Sequence, residues 1–307
     1  MAAQSSGSEP EITGQVLFYR QIEPLSYEKH GRLGAKQIER PFAFLGAQDV
    51  VPITANEFPV ASACYPLIFA GPEKTPLAVM GIRSGENLFV SLEGDVDPEV
   101  YLPAFARRYP FVFATTDKSP EEELLVCIDP TAPMIGENTD TPFFTADKQL
   151  SPLTQNAIEF LKEFDRCGAA TTIFVRTLQE MDLFEQKSTV ISNLNEKGEK
   201  AHVTADYFGV SEDKLNALPA DKFNQLREMN MVGPIYAHLV SLLMWPRLLH
   251  RAAMRDRAAQ GLSTPLGQTP AVNLPRAAPA TPKPPIAASV PPPREPTPPP
   301  KKKGLFG

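Results

Sequence analysis

Between Pro76 and Asp129 the chain carries three short apolar runs, in PLAVMGIRSGENLFVS, YPFVFATT and LLVCID, each bounded by polar residues. Short runs rich in Val, Ile, Leu and Phe with such punctuation read as strands. Between the second and third strands of this stretch, Leu102, Phe105, Ala106 and Tyr109 are spaced to share one helical face. Pro103 fits only the first turn of that helix, and Pro110 closes it. The stretch therefore predicts a strand pair, a helix and two more strands.

The flanking segments extend this pattern. VLFYRQIEPLS (Val16–Ser26) reads as an edge strand ended by Pro24, and YEKHGRLGAK as a polar connection. FAFLGAQDVVPI (Phe42–Ile53) and YPLIFAG read as further strands. Thr54 and Glu57 have the spacing of a capping box, with Pro59 limiting the helix that follows. After Asp129 a long segment rich in turn formers reads as a surface loop. Ser151-Pro152 then opens a helix, with Leu153, Ala157, Phe160, Leu161 and Phe164 at helical spacing and Gly168 as a stop. A second helix is expected through Ile173, Phe174, Leu178 and Met181, then a hairpin turning at Asn195–Gly198. Short helices follow at Ser211 and Ala220–Asn230. Gly233-Pro234 is expected to break the chain before a long apolar helix interrupted at Pro246, with Ile235, Leu239, Leu242 and Leu243 as its buried stripe. Strands gather in the first half and helices in the second. The expected fold is α+β, a mixed but mainly antiparallel sheet in the N-terminal half and helices in the C-terminal half.

Composition places the boundaries. Of the 33 prolines, 14 lie from Gln260 onward, where large apolar residues are almost absent. We expect a disordered lead over 1–13, one domain over 14–258, and a disordered Pro-rich tail over 259–307. The tail segment carries six cations against Glu295, so the body is more acidic than the net charge of −6 suggests. Such a body repels phosphate backbones, and no nucleic-acid partner is expected. Cys64, Cys127 and Cys167 are far apart, with no CxxC, and read as free thiols of a reducing compartment. The N-terminus lacks the pattern of a signal peptide, and the most apolar window, Ile235–Leu249, is too short to span a bilayer. A cytoplasmic protein is expected, with peripheral contact to the cell envelope as a further possibility.

The segments PLSYEKHGRL, VPITANEFPVASACYPLIF, PLAVMGIRSGENLFVS, YLPAFARRYPF, LLVCIDPTAP, TPFFTADKQLSP and KLNALPADKFNQLREMNMVGPIYAHLVSL, in this order, resemble the SapC-like family. The likeness covers roughly Val16–Arg251 and leaves out the Pro-rich tail. The family takes its name from bacterial surface-layer gene clusters. It is distinct from the peptide-transporter permease of the same name, which needs several spanning helices. The resemblance implies a bacterial protein tied to the surface layer, the envelope or nutrient uptake, and it brings no catalytic residue with it.

Candidate chemistry rests on three places. Arg83, Glu86 and Asn87 form either a polar binding loop between two strands or a hairpin turn with a local Arg83–Glu86 pair. Arg107, Arg108 and Tyr109 end the short helix, where they either complement its dipole or bind an anion. Lying about 100° apart, only one of the two arginines is expected to face the sheet. Asp129 serves as an acid or makes an Asx turn. His30, His202, His238 and His250 are isolated, so no metal is expected, and neither is a cofactor. No G-x-S-x-G, P-loop, G-x-G-x-x-G or H-E-x-x-H pattern occurs. At the tail tip Lys301, Lys302 and Lys303 precede Leu305 and Phe306, a set that fits a protein partner, although Pro-rich ends also serve simply to solubilise. Two readings follow. One is a non-enzymatic accessory or binding protein. The other is an enzyme acting on a peptide or small anionic substrate through Arg83, Arg107 and Asp129, which requires those side chains to converge on one concavity.

Overall fold

Strands and short helices occupy the first half of the chain. The computed structural model describes residues 16–115, 124–194 and 200–261. The expected lead, the hairpin turn at Asn195–Gly198 and the tail tip at Lys301–Phe306 lie outside the described residues. The order is β1 (Glu23–Pro24), α1 (Tyr27–His30), β2 (Leu33–Ala35), β3 (Val50–Pro52), α2 (Phe58–Ala61), β4 (Leu67–Ala70), β5 (Thr75–Val79), α3 (Ala104–Arg107), β6 (Phe111–Thr115), β7 (Leu124–Ile128), β8 (Ile135–Glu137) and β9 (Thr141–Pro142). The second half holds α4 (Pro152–Glu180), the hairpin β10 (Phe184–Leu194) and β11 (Lys200–Val210), then α5 (Glu212–Asn216), α6 (Ala220–Glu228), α7 (Val232–Ser241) and α8 (Trp245–Ala259). The fold is α+β.

Among the described residues three antiparallel sheets result, ordered β10-β11-β4-β5-β3, β1-β7-β6 and β8-β2-β9. One hydrophobic core, containing Phe58, Tyr65, Leu67, Phe69 and Leu178, packs against the five-stranded sheet. A second, containing Tyr109, Phe111, Ile128, Phe143 and Leu161, packs around the other two. α3 stands at their boundary, with Ala106 in the first core and Tyr109 in the second.

Several sequence expectations are corrected. The strand expected over Val16–Ser26 shrinks to β1, with Pro24 inside it rather than after it. Phe42–Ile53 begins as a 3-10 helix, Ala43–Ala47, before β3. The polar connection YEKHGRLGAK holds α1 and β2, and the long loop after Asp129 supplies β8 and β9 as partners for β2. Leu88–Ser91 is not a strand; Val90 makes only an isolated bridge to Val96. Gly168 does not stop α4, which runs on as one helix of 29 residues. An interior Gly costs about 1 kcal/mol against Ala, and the burial of Cys167, Thr171, Phe174 and Leu178 on either side outweighs it.

The helix pair at the end shows how packing overrides apolarity. Gly233 and Pro234 fall within the first turn of α7 instead of breaking the chain before it. The interruption comes at a 3-10 turn, Leu242–Met244, with Pro246 opening α8. The buried stripe is Met231, Ile235, His238, Ser241, Trp245, Leu248 and Ala252, while Leu243 is 54% exposed. His238 explains the shift. β11 meets β4 at Phe208 and Phe69, which places Val210 opposite Leu67. There the imidazole is inserted: its Nε2 accepts from the Val210 N–H at 3.0 Å and its Nδ1–H donates to the Leu67 carbonyl at 3.0 Å. The Ser241 hydroxyl accepts from the Leu67 N–H at 3.0 Å. Two polar side chains of α7 thus complete the backbone pairing of a buried seam, which an apolar side chain could not do.

Candidate functional site

α3 is too short to hold itself in place, and two buried carboxylates hold it at either end. The Thr54–Glu57 pair expected from spacing forms, and the Glu57 carboxylate accepts from the Thr54 N–H at 2.9 Å. Its other oxygen accepts from the Ala104 N–H at 2.6 Å and from the Tyr101 hydroxyl at 2.8 Å. Glu57 thereby serves the first, otherwise orphaned, backbone donor of α3. At the far end Asp129, fully buried, accepts from the Arg20 N–H at 2.8 Å and the Tyr109 hydroxyl at 3.3 Å. It also accepts from the Thr131 N–H at 3.0 Å, closing the Asx turn, and from the Thr131 hydroxyl at 2.6 Å. Burial, with Asp129 adding to it, pushes the Tyr109 hydroxyl up to about 12.

The two arginines between these clamps diverge as expected. Arg107 is exposed and donates from Nε to the Leu102 carbonyl at 3.0 Å and from Nη2 to the Tyr101 hydroxyl at 2.9 Å. Its guanidinium also covers the Phe160 ring at 5.2 Å. Arg108 turns inward and packs against the rings of Phe105, at 4.1 Å, and Phe164, at 4.8 Å. Its Nε is buried with no hydrogen-bond partner. Burial lowers the Arg108 pKa, and only the Tyr19 hydroxyl works against that. That hydroxyl itself donates to the Phe111 carbonyl at 2.6 Å.

Beside Arg108 lies a half-open cavity of about 240 Å³. Arg107, Arg108 and Tyr109 form its polar part. Met134, Ile135, Phe143, Leu153 and Phe160 are among the apolar residues that make up most of the rest. It draws on α3, on the loop ahead of β8 and on the first turns of α4. Tyr109 gives its hydroxyl to Asp129 and Arg107 commits its Nε and Nη2 to Leu102 and Tyr101, which leaves Arg108, with the remaining Nη1 of Arg107, as the polar feature able to meet a ligand. Sequence reading found these residues as a triplet. It missed the apolar wall, because Met134, Ile135 and Phe143 sat in what looked like a featureless loop.

The other candidates do not join them. Arg83 pairs with Glu86 at 3.1 Å and with Asp256 of α8 at 2.6 Å. Asn87 is fully buried, its Oδ1 accepting from the Phe89 N–H at 2.9 Å. α8 fastens the same loop again, with Arg255 donating to the carbonyls of Asn87 at 2.6 Å and Val90 at 2.7 Å. Gly81 is required here, since a Cβ would run into the Glu86 carbonyl. A larger groove of about 440 Å³ between α4 and the ends of β3 and β5 contains none of the sequence candidates. In its wall the Thr171 hydroxyl donates to the Cys167 carbonyl and accepts from the Ala55 N–H. Among the described residues no cluster of His, Cys, Asp and Glu is able to hold a metal. The three cysteines are free, and burial pushes the Cys127 thiol up to about 11, far from a nucleophile's range.

No curated protein and no solved structure matches the chain. A family model described as SapC matches residues 25–248, a span that includes every element from α1 to α7 and both clamps of α3. The chain belongs to the SapC family.

Proposed function

We propose that this SapC-family chain is a non-enzymatic accessory protein that acts by binding, in surface-layer or envelope assembly or in nutrient uptake. The observation that supports it is dispersal. Arg83, Arg107 and Asp129 do not share a concavity, and each is committed to a separate structural contact. An acid that accepts four hydrogen bonds in the core has no capacity left for substrate. A cytoplasmic location with peripheral contact to the envelope fits this reading, and among the described residues no helix is long and apolar enough to cross a membrane. The partner is a protein, met by the tail: Lys301, Lys302 and Lys303 steer toward an acidic surface, and Leu305 and Phe306 bury there. The test is affinity capture with the full chain, with Gly304–Gly307 deleted, and with Leu305→Ala and Phe306→Ala combined. The expected result is a partner held by the full chain and lost from both variants, more readily as salt rises. Identical partner sets for all three would contradict it.

A further inference from the structure

Arg108 is a half-buried cation with one buried donor unpaired. Its guanidinium packs on the Phe105 ring at 4.1 Å and the Phe164 ring at 4.8 Å, two rings that meet each other edge to face, and the Tyr19 hydroxyl is the polar group beside it. Among the described residues it forms no ion pair with a carboxylate, in contrast to Arg83 and Arg251, and its buried Nε has no acceptor. Leaving such a donor unsatisfied is unfavourable, and native structures seldom do so without a reason. The same residue lines a cavity whose remaining wall is almost wholly apolar. We propose that this cavity binds a small carboxylate with an aromatic or branched aliphatic body. The carboxylate pairs with the guanidinium of Arg108 and draws on Arg107 at the rim. The apolar body lies against Met134, Ile135, Phe143, Leu153 and Phe160.

The cavity selects among anions. A phosphate needs several donors around it, and here the donors stand at one end only. A free acetate would satisfy the arginine and leave the apolar wall wet. At about 240 Å³ the space is smaller than the roughly 300–1,000 Å³ of drug-sized sites, so the body is a single ring or a short branched chain. α3 is fixed at both ends by Glu57 and Asp129, so the arginine is preorganised rather than ordered by the ligand. The inference rests on the reading of this chain as a binder and names its ligand class.

The experiment is isothermal titration calorimetry on the full chain with phenylacetate and 4-methylpentanoate. Acetate, inorganic phosphate and phenylacetamide serve as controls. A ligand of about ten non-hydrogen atoms should give a Kd between about 1 μM and 1 mM. The controls should bind at least about tenfold more weakly, each lacking either the carboxylate or the apolar body. Arg108→Gln should weaken the two acids by about ten- to a hundredfold, the worth of a charge-assisted hydrogen bond. Ala157→Leu, which fills the cavity from α4 and keeps Arg108, should block them as well and serves as the test if Arg108→Gln fails to fold. No binding of either acid at millimolar concentration, or unchanged affinity in Ala157→Leu, overturns the proposal. Proton NMR of the same mixtures separates it from the binding-only reading. An acid that binds and is consumed upholds the ligand class and removes the accessory reading. An absence of binding overturns the ligand class and leaves capture through the tail as it was.

Discussion

The loop around Arg83 and the helix bearing Arg108 both place an arginine against the core, and they treat it in opposite ways. Arg83 stands between two carboxylates, and its neighbours Arg251 and Arg255 are also satisfied, by Asp97 and by backbone carbonyls. Arg108 packs against two phenylalanine rings and leaves a buried N–H without an acceptor. Charge alone does not separate a structural arginine from a recognition arginine. The separating feature is whether the fold has already supplied the acceptors. On that criterion the Arg83 region is closed and the Arg108 region is open.

The comparison breaks most severely if α3 loses a clamp. Asp129→Ala strands the Arg20 and Thr131 N–H groups and the Tyr109 hydroxyl. The Tyr109 bond is buried and the two N–H bonds are part-buried; a buried orphan costs about 1–3 kcal/mol, so urea unfolding should show a loss of at least about 2 kcal/mol. A loss below about 1 kcal/mol would mean that α3 is held by other means. Acid tests the frame that both regions share. An unfolded histidine titrates near 6.5, and burial lowers His238 to about 3. Between those values the unfolded chain binds the proton first, so stability is complete above about 6.5 and falls as the pH drops toward 3. Burial lowers His30 as well, which adds in the same direction. His238→Gln should flatten most of this slope in denaturation curves taken across that range, and an unchanged slope would refute the role assigned to the imidazole.

Smaller effects sharpen the contrast on the closed side. Arg255→Gln removes charged donors from the Asn87 and Val90 carbonyls. It should cost about 1.5–3 kcal/mol without altering carboxylate affinity at the cavity. Asp256→Asn weakens a pair that is about one-third exposed on each side. Its cost should stay within about 1 kcal/mol, again with the cavity untouched. A change in ligand affinity in either variant would show that the two regions are coupled.

Local rules were legible in the chain, and long-range ones were not. Ser151-Pro152 capping α4 and the Glu57 carboxylate returning to Thr54 depend on residues three apart, and both appear as spacing implies. β4, β5, β6 and β7 also stand where their apolar runs lie. The partners of β2 come from a segment about a hundred residues later, and no local pattern announces that. Along α7 and α8 the expected stripe holds at Ile235 and fails at Leu243, because apolar size is not burial and the seam between β11 and β4 needs His238 and Ser241. The arginine triplet was visible as chemistry. Its openness was not, since an empty acceptor position is a property of packing and leaves no mark in sequence.

Arginine side-chain NMR tests the contrast most directly, by following the 15N–H signals of the Nε groups while phenylacetate is added. The Arg108 signal should shift and saturate, while Arg83 stays fixed at constant ionic strength. An Arg108 signal that never moves, or one that moves only in step with Arg83, would contradict the account.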